Sequence, residues 1–384
     1  MQTVFTAQRF WNGTHFQERP AIVVEDGKVA AITSQDAFTT PAGVARIDLP
    51  EATLAPSFFD IHIHGAAGHD VMEGSAEALA SIGHLLASRG TASYLATTVT
   101  APISATLRAL DQLASQIEAQ GPEDCAWPLG IHLEGPFLSH AKRGVHPPAN
   151  LEAPSIELFD RFFDAAHGHV QLMTMAPELE GAAELTAHAT RRGVRISIGH
   201  SNATTADTRR VIAAGATSAT HTFNAMRPLD HREPGILGVV LTEENLYAEI
   251  ICDGIHTAPE MVKLWWKAKG VDRALLITDG MSATGMPDGE YTLGGFPVQV
   301  AHGRAMANGV LAGSVLTQDR ALTNFLHFTG AKLEDGLQLL TRNPAAITGV
   351  KTGTLQVGSP ANLVALDDSG KLLASFVNGV QAKA

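Results

Sequence analysis

Between residues 56 and 349 the chain alternates short apolar runs with helical stretches, and this alternation constrains the fold more than any other feature. Eight runs have strand character: 58–63, 92–97, 129–133, 170–175, 194–198, 217–220, 248–252 and 274–278. Helical patterns at 76–88, 103–119 and 207–214 fall between several of them, and Arg191-Arg192-Gly193 and Ala214-Gly215 read as helix stops. Asn202-Ala203-Thr204-Thr205 supplies N-cap residues for the helix after the fifth run. Strands separated by helices pair in parallel, because the crossover helix returns the chain to the same end of the sheet. Eight such units predict an α/β fold, a (β/α)8 TIM barrel. An open Rossmann-like sheet is the competing topology, and the absence of G-x-G-x-x-G after the first run counts against it.

The ends have a different texture. Short β runs at 3–5, 21–24 and 29–32, with Asp26-Gly27 as a turn, contain no helical pattern. Runs at 363–366 and 375–377, broken by Gly353, Gly358 and Gly370, look similar. The expected division is therefore a small β-sandwich from residues 1–55 and 350–384, and a barrel over 56–349, whose closure brings the two ends together.

Apolar residues make up 45% of the chain and charged ones 17%, which favours a large buried core and argues against a disordered chain. With 27 basic against 39 acidic residues the net charge is −12, which argues against a nucleic-acid or anionic-membrane surface. An anionic ligand must then be held by a few local donors against the global field. No run of about 18 apolar residues suggests a membrane span, and the first residues do not read as a secretion signal. Two cysteines, Cys125 and Cys252, suit reduced thiols. The expected location is the cytoplasm.

In a barrel of this type the carboxyl ends of the strands build the active site. The first run ends in Asp60-Ile61-His62-Ile63-His64, the third in His132-Leu133-Glu134 and the fifth in Gly199-His200. The sixth ends in Thr220-His221, the seventh leads into Asp253-Gly254-Ile255-His256, and the eighth into Asp279-Gly280. Six of eight strand ends thus carry a histidine or a carboxylate. The H-x-H spacing puts His62 and His64 on one side of a strand. Imidazole nitrogens and carboxylates ligate Zn²⁺ and similar ions, so His62, His64, Glu134, His200 and His221 form a candidate set for one or two divalent ions, with Glu134 able to bridge. Zinc leads, but N/O ligands also accept iron, manganese or cobalt. Such an ion acidifies water, and Asp279 is the candidate general base that passes the water proton to a leaving amine, as amide hydrolysis requires. The bland reading of Asp279 is a helix cap.

Several loops look like a cradle for an anion. They are Gly144-Val145-His146 after Lys142-Arg143, Asn224-Ala225, Arg232, His256, and Leu311-Ala312-Gly313-Ser314, whose small residues allow close backbone approach. Arg232 suits bidentate contact with a phosphate; the alternative is a solvated surface charge.

The segments PSFFDIHIHG, HLEGPFLSHAKRGVH, ISIGHSNAT, THTFNAM, DGIH, LITDGMSATG and LAGSVLTQD run from Pro56 to Asp319. Together with Asn343-Pro344-Ala345 and the closing GTLQVGSPANLVALD, they resemble the N-acetylglucosamine-6-phosphate deacetylases of the amidohydrolase superfamily. The resemblance implies metal ligands at Glu134, His200 and His221, a base at Asp279, and His146 on the acetyl carbonyl. It also implies His256 on the sugar phosphate, with Val145, Asn224, Ala225, Leu311, Ala312 and Gly313 lining the pocket. A homodimer follows from the same source, with Arg232 reaching the neighbouring subunit's phosphate. Some members lack the H-x-H pair and hold one ion; His62 and His64 give this chain the capacity for two. The expected reaction is release of acetate from N-acetyl-D-glucosamine 6-phosphate in amino-sugar catabolism. Alternatives are the galactosamine epimer, a cyclic amide, or a non-catalytic sugar-phosphate sensor, which would have no need of a base and a complete ligand set.

Overall fold

The computed structural model of the chain describes residues 2–383, so the outermost residues of the expected satellite domain, 1 and 384, lie outside the described residues. Eight parallel strands form the central sheet: β1 (Phe58–Ile63), β2 (Thr91–Thr98), β3 (Trp127–Glu134), β4 (Val170–Met175), β5 (Arg195–Ile198), β6 (Ser218–Ala219), β7 (Tyr247–Ile251) and β8 (Ala274–Ile277). They pair in sequence order, and a parallel bridge between Ile63 and Gly280 closes β8 onto β1. Backbone bonds from Asp279 N to His62 O (2.9 Å) and from His64 N to Gly280 O (2.7 Å) extend that seam to the mouth. The helices between strands are α1 (Ala76–Ser88), α2 (Ile103–Ala119), α3 (Ile156–Ala165), α4 (Ala182–Arg191), α5 (Thr205–Ala213), α6 (Gly235–Thr242) and α7 (Pro259–Arg273). Three more, α8 (Gln318–Thr329), α9 (Leu333–Leu340) and α10 (Arg342–Thr348), follow β8.

Alternation along the strands separates two environments. Ile131, Leu133, Met173, Met175, Ile196, Ile198, Ala248, Ile250 and Leu276 belong to the large core shared with the helices. Leu95, Leu172, Ile251, Leu275 and Ile277 point the other way and pack with Phe59 and Ile61. A polar layer runs alongside this interior cluster. His132 Nε2 meets Thr174 Oγ1 (2.8 Å), Thr174 meets Thr220 (2.7 Å), and Thr220 donates to Ser197 Oγ (2.7 Å). Buried hydroxyls are tolerable because each finds a partner in this chain of bonds. The layer ties four strands together directly beside the carboxyl ends that carry the histidines.

The sheet built from both chain ends contains Gln2–Trp11, Phe16–Glu18, Pro20–Glu25, Lys28–Ser34, Ala45–Pro56, Leu363–Leu366, Leu372–Val377 and Val380–Gln381. Ala45–Pro56 runs parallel to Gln2–Trp11 and antiparallel to Leu363–Leu366, so one strand joins the first and last segments. A four-stranded antiparallel sheet (Gly289–Leu293, Phe296–Ala301, Arg304–Ala307 and Val310–Leu311) follows β8, a feature the sequence pattern did not announce. Its buried face packs on Met281, Ala283 and Ala312 beside the barrel mouth. The helix expected at 207–214 begins earlier, at Thr205. Thr204 and Asp207 form a reciprocal capping box there, each side chain bonding the other's backbone N–H.

Candidate active site

Three strand-end residues leave the sheet in left-handed backbone conformations: His200 (φ 47°), His221 (φ 27°) and Asp279 (φ 50°). Non-glycine residues adopt this region at a cost of order 1–3 kcal/mol each, and such outliers cluster at functional sites. At Asp279 neighbouring backbone holds the turn. Ser314 N donates to Asp279 O (2.6 Å), and a Cβ on Gly313 would lie 3.0 Å from that same oxygen. The small residue at 313 therefore serves close packing against the carboxylate's own backbone.

The side chains converge on Glu134. Its Oε1 lies 3.1 Å from His200 Nε2, 3.1 Å from His221 Nε2 and 3.4 Å from His62 Nε2. Its Oε2 lies 3.2 Å from His64 Nε2 and 3.4 Å from His146 Nε2. Asp279 Oδ1 sits 3.1 Å from His64 Nε2 and 3.5 Å from His62 Nε2. Two groups result, His62–His64–Asp279 and Glu134–His200–His221, each with ligand atoms within 4.8 Å of one another. All six residues are buried.

The far side of the rings tests whether a cation fits. His64 Nδ1 lies 2.9 Å from Thr97 O, and His200 Nδ1 lies 3.0 Å from Lys142 O; both carbonyls only accept. His62 Nδ1 faces the Glu249 carboxylate at 3.2 Å. In the neutral ring each of these three histidines therefore carries its proton on Nδ1 and turns an Nε2 lone pair toward Glu134 or Asp279. Lone pairs facing carboxylate oxygens repel, and His62 Nε2 has no hydrogen-bond partner at all. A divalent cation resolves both conflicts, and a second partner on the remote nitrogen is the usual setting of a ligating histidine. The residues fit a metal ion, in one or two positions.

The charges of the polypeptide by itself tell the same story. Burial works against a charged His64, but hydrogen bonds to Asp279 and Glu134 outweigh it and lift the ring to about 9. Burial likewise opposes a charged His62, and the Glu134 and Asp279 charges raise it well above its ordinary value. Against the upward push of burial, His62 and His64 hold Asp279 down at about 2, and His62, His146, His200 and His221 hold Glu134 well below the usual carboxylate range. His200 falls to about 4, mainly by burial. Two protons thus occupy the positive role that a divalent ion would take, so metal and protons compete.

His132, at the end of the same strand as Glu134, is not a ligand. Its Nδ1 binds Ile61 O (3.1 Å), its Nε2 binds Thr174, and burial drives its charge state well below normal. Asp60 joins β1 to the end of β8 through the Thr278 hydroxyl, and burial raises it to about 7.

Above the ligands lies a cavity of about 280 Å³, lined by His64, Glu134, His200, His221 and Asp279 together with Val145, His146, Asn224, Ala225, His256, Leu311 and Gly313. Ala312 is buried behind this wall. Arg232 is exposed on the loop before α6 and does not line the cavity. Thr100 N donates to His146 Nδ1 (3.4 Å), and Thr100 Oγ1 lies 2.8 Å from it, so the ring turns its Nε2–H toward the cavity floor, where Glu134 Oε2 lies 3.4 Å away. Asp253 accepts from Ile255 N, from His256 N and, at 2.6 Å, from His256 Nδ1, which fixes the second ring of the wall. Sequence reasoning passed over Val99, Leu293 and Val310, three apolar lining residues, and Glu249. Glu249 is an acid inside the apolar run Ala248–Cys252, which marks a buried charge in the sequence but not its partner.

Comparison with known proteins agrees with this geometry. Residues 53–383 match the model of the amidohydrolase family. The chain belongs to the amidohydrolase family. Within it the resemblance read from the motifs holds. The chain is 33% identical over 379 residues to an N-acetylglucosamine-6-phosphate deacetylase from Vibrio furnissii, covering 98% of this chain and 94% of that one. It is 35% identical over 383 residues, 99% of each chain, to an N-acetylgalactosamine-6-phosphate deacetylase from Escherichia coli O157:H7. Among solved structures it matches a mutant of N-acetyl-D-glucosamine-6-phosphate deacetylase from Mycobacterium smegmatis in complex with N-acetyl-D-glucosamine-6-phosphate. That match has a TM-score of 0.92 and 34% identity over all of both chains. This amidohydrolase has the barrel fold predicted from its strand–helix alternation, and its donor set suits the metal dependence of the superfamily. Among the described residues no helix is long and apolar enough to cross a membrane.

Proposed function

We propose that this amidohydrolase hydrolyses the acetamide of N-acetyl-D-glucosamine 6-phosphate to D-glucosamine 6-phosphate and acetate, in amino-sugar catabolism. The observation that carries this reading is the meeting of six buried ligand-type residues at the floor of a cavity whose wall holds His146, His256 and Asn224. His62, His64, Glu134, His200 and His221 hold the metal, zinc ahead of iron, manganese or cobalt, at one or two ions per subunit. When bound, a divalent ion supplies a Lewis acid that acidifies water and polarises a carbonyl. Asp279, ionised throughout the neutral range, accepts the proton of the attacking water and returns it to the departing amine nitrogen. His146 donates its Nε2–H to the acetyl oxygen as negative charge develops there. His256, Asn224, Ala225 and the 311–313 segment orient the sugar and its phosphate.

The active unit in this reading is a cytoplasmic homodimer in which Arg232 completes the phosphate site of the neighbouring subunit. Its exposure, and the half-exposed Leu229 beside a groove of about 600 Å³ along α5 and α6, suit a face covered by a second copy. The expected division, 1–55 and 350–384 as a satellite beside a 56–349 barrel, is kept in this reading for the described parts of the two ends, residues 2–55 and 350–383. The Escherichia coli relative favours a second reading, the galactosamine epimer.

Acetate release from both phosphorylated amino sugars and from unphosphorylated N-acetylglucosamine tests the proposal. The glucosamine reading expects the highest kcat/KM for N-acetylglucosamine 6-phosphate. Equal values for phosphorylated and free sugars would remove the phosphate site, and a preference for the epimer would replace the substrate.

A further inference from the structure

We propose that Glu249 is a positioning residue that couples the two ligand groups, setting His62 and His221 together through one carboxylate oxygen. The inference rests on reading the site as a metal centre. Glu249 lies in the middle of β7 with no exposed surface. Its neighbours Ala248 and Ile250 face the helices, whereas Ile251, on the same side as Glu249, packs inside the barrel. Its Oε2 lies 3.2 Å from His62 Nδ1 and 3.2 Å from the backbone N of His221. His62 belongs to one ligand group and His221 to the other. Glu249 therefore holds a member of each group from behind, as Glu134 does from the front.

Two consequences follow from the hydrogen bonds. In the neutral ring, accepting Nδ1–H selects the tautomer that leaves the lone pair on Nε2, the nitrogen that faces Glu134 Oε1 at 3.4 Å and Asp279 Oδ1 at 3.5 Å. Negative charge behind the ring also makes that nitrogen a stronger donor to a cation. At His221 the same oxygen satisfies a backbone N–H where the chain turns through φ 27°, fixing the point from which the ring projects. A buried acid whose other oxygen, Oε1, lacks any partner is a poor choice for stability alone.

Zinc is the probe for the test. Wild type, Glu249→Gln and Glu249→Leu are stripped with chelator, and zinc stoichiometry and Kd are measured by competition with an indicator dye. The Tm of each stripped protein is recorded alongside. Glutamine keeps an oxygen able to accept both N–H groups but loses the charge, so its zinc affinity falls about tenfold. Leucine removes the acceptor, and its affinity falls by about 100-fold or one equivalent is lost. The ranking of zinc affinity, wild type above glutamine above leucine, is what a merely structural role does not produce. Glu249→Gln with wild-type affinity overturns the proposal, even where Glu249→Leu does not fold. Glu249→Leu that folds and binds zinc as wild type does overturns it equally. Wild type that binds no zinc overturns the metal-centre reading itself, and the inference with it.

Discussion

Chelation followed by a pH series probes the charge balance around Glu134. In the stripped protein His64 holds its proton up to about 9, against an ordinary value of 6.5. A value raised by folding contributes stability that is complete below about pH 6.5 and is lost as pH rises through about 9. The interval corresponds to about 3 kcal/mol at about 1.36 kcal/mol per pH unit. With about 2.1 cal/mol/K of unfolding entropy per residue, the 384-residue chain carries about 0.8 kcal/mol/K, so Tm falls by about 4 °C across the window. Scanning fluorimetry of chelator-treated protein at pH 6.5 and 9.5, with His64→Gln in parallel, isolates this contribution. Zinc-loaded protein behaves oppositely, because zinc displaces the same protons and binds more tightly as pH rises. Stripped wild type and His64→Gln with the same dependence of Tm on pH would refute the reasoning.

Three substitutions separate the remaining roles. Asp279→Asn lowers kcat by about 10²–10⁴ with little change in KM, measured by acetate release; a kcat within tenfold of wild type removes Asp279 as the base. Arg232→Ala raises KM for the phosphorylated sugar by about 10–100-fold, the worth of a charge-assisted hydrogen bond, and leaves turnover of the unphosphorylated sugar unchanged. An unchanged KM would return Arg232 to the solvated surface. Lys269, almost fully buried, donates to the carbonyls of Val240 (2.9 Å) and Glu243 (2.7 Å) at the end of α6. Lys269→Met strands those acceptors and destabilises the protein by about 1–3 kcal/mol, visible in denaturant unfolding; a cost under about 0.5 kcal/mol contradicts the capping role.

Barrel strands were the most legible part of the fold, because both faces of each are buried and the sequence reads as an apolar run. Phe58–Ile63 and Val170–Met175 coincide with the expected limits. Ala45–Pro56 escaped notice because its first half has only Ile47 and Leu49, both half-buried, between exposed Arg46, Asp48 and Pro50, and a proline is a poor strand residue. The meander at 289–311 was hidden for the same reason: in Phe296–Ala301 buried Val298 and Val300 alternate with exposed residues in short, glycine-bounded strands. At the site, strand-end position and residue chemistry were enough to single out the histidines and acids that now meet within 4.8 Å. Glu249 required coordinates, because a lone acid within a strand has no spacing to announce its partner. The same holds for Val99 and Leu293, since apolar residues carry no mark of the cavity they line.

Zinc titration of the stripped protein tests the central claim most directly, following acetate release from N-acetyl-D-glucosamine 6-phosphate at each addition. Activity absent after chelation, rising with zinc and levelling at one or two equivalents per subunit, is the predicted result. Full turnover in the stripped protein, with no response to zinc, would contradict it.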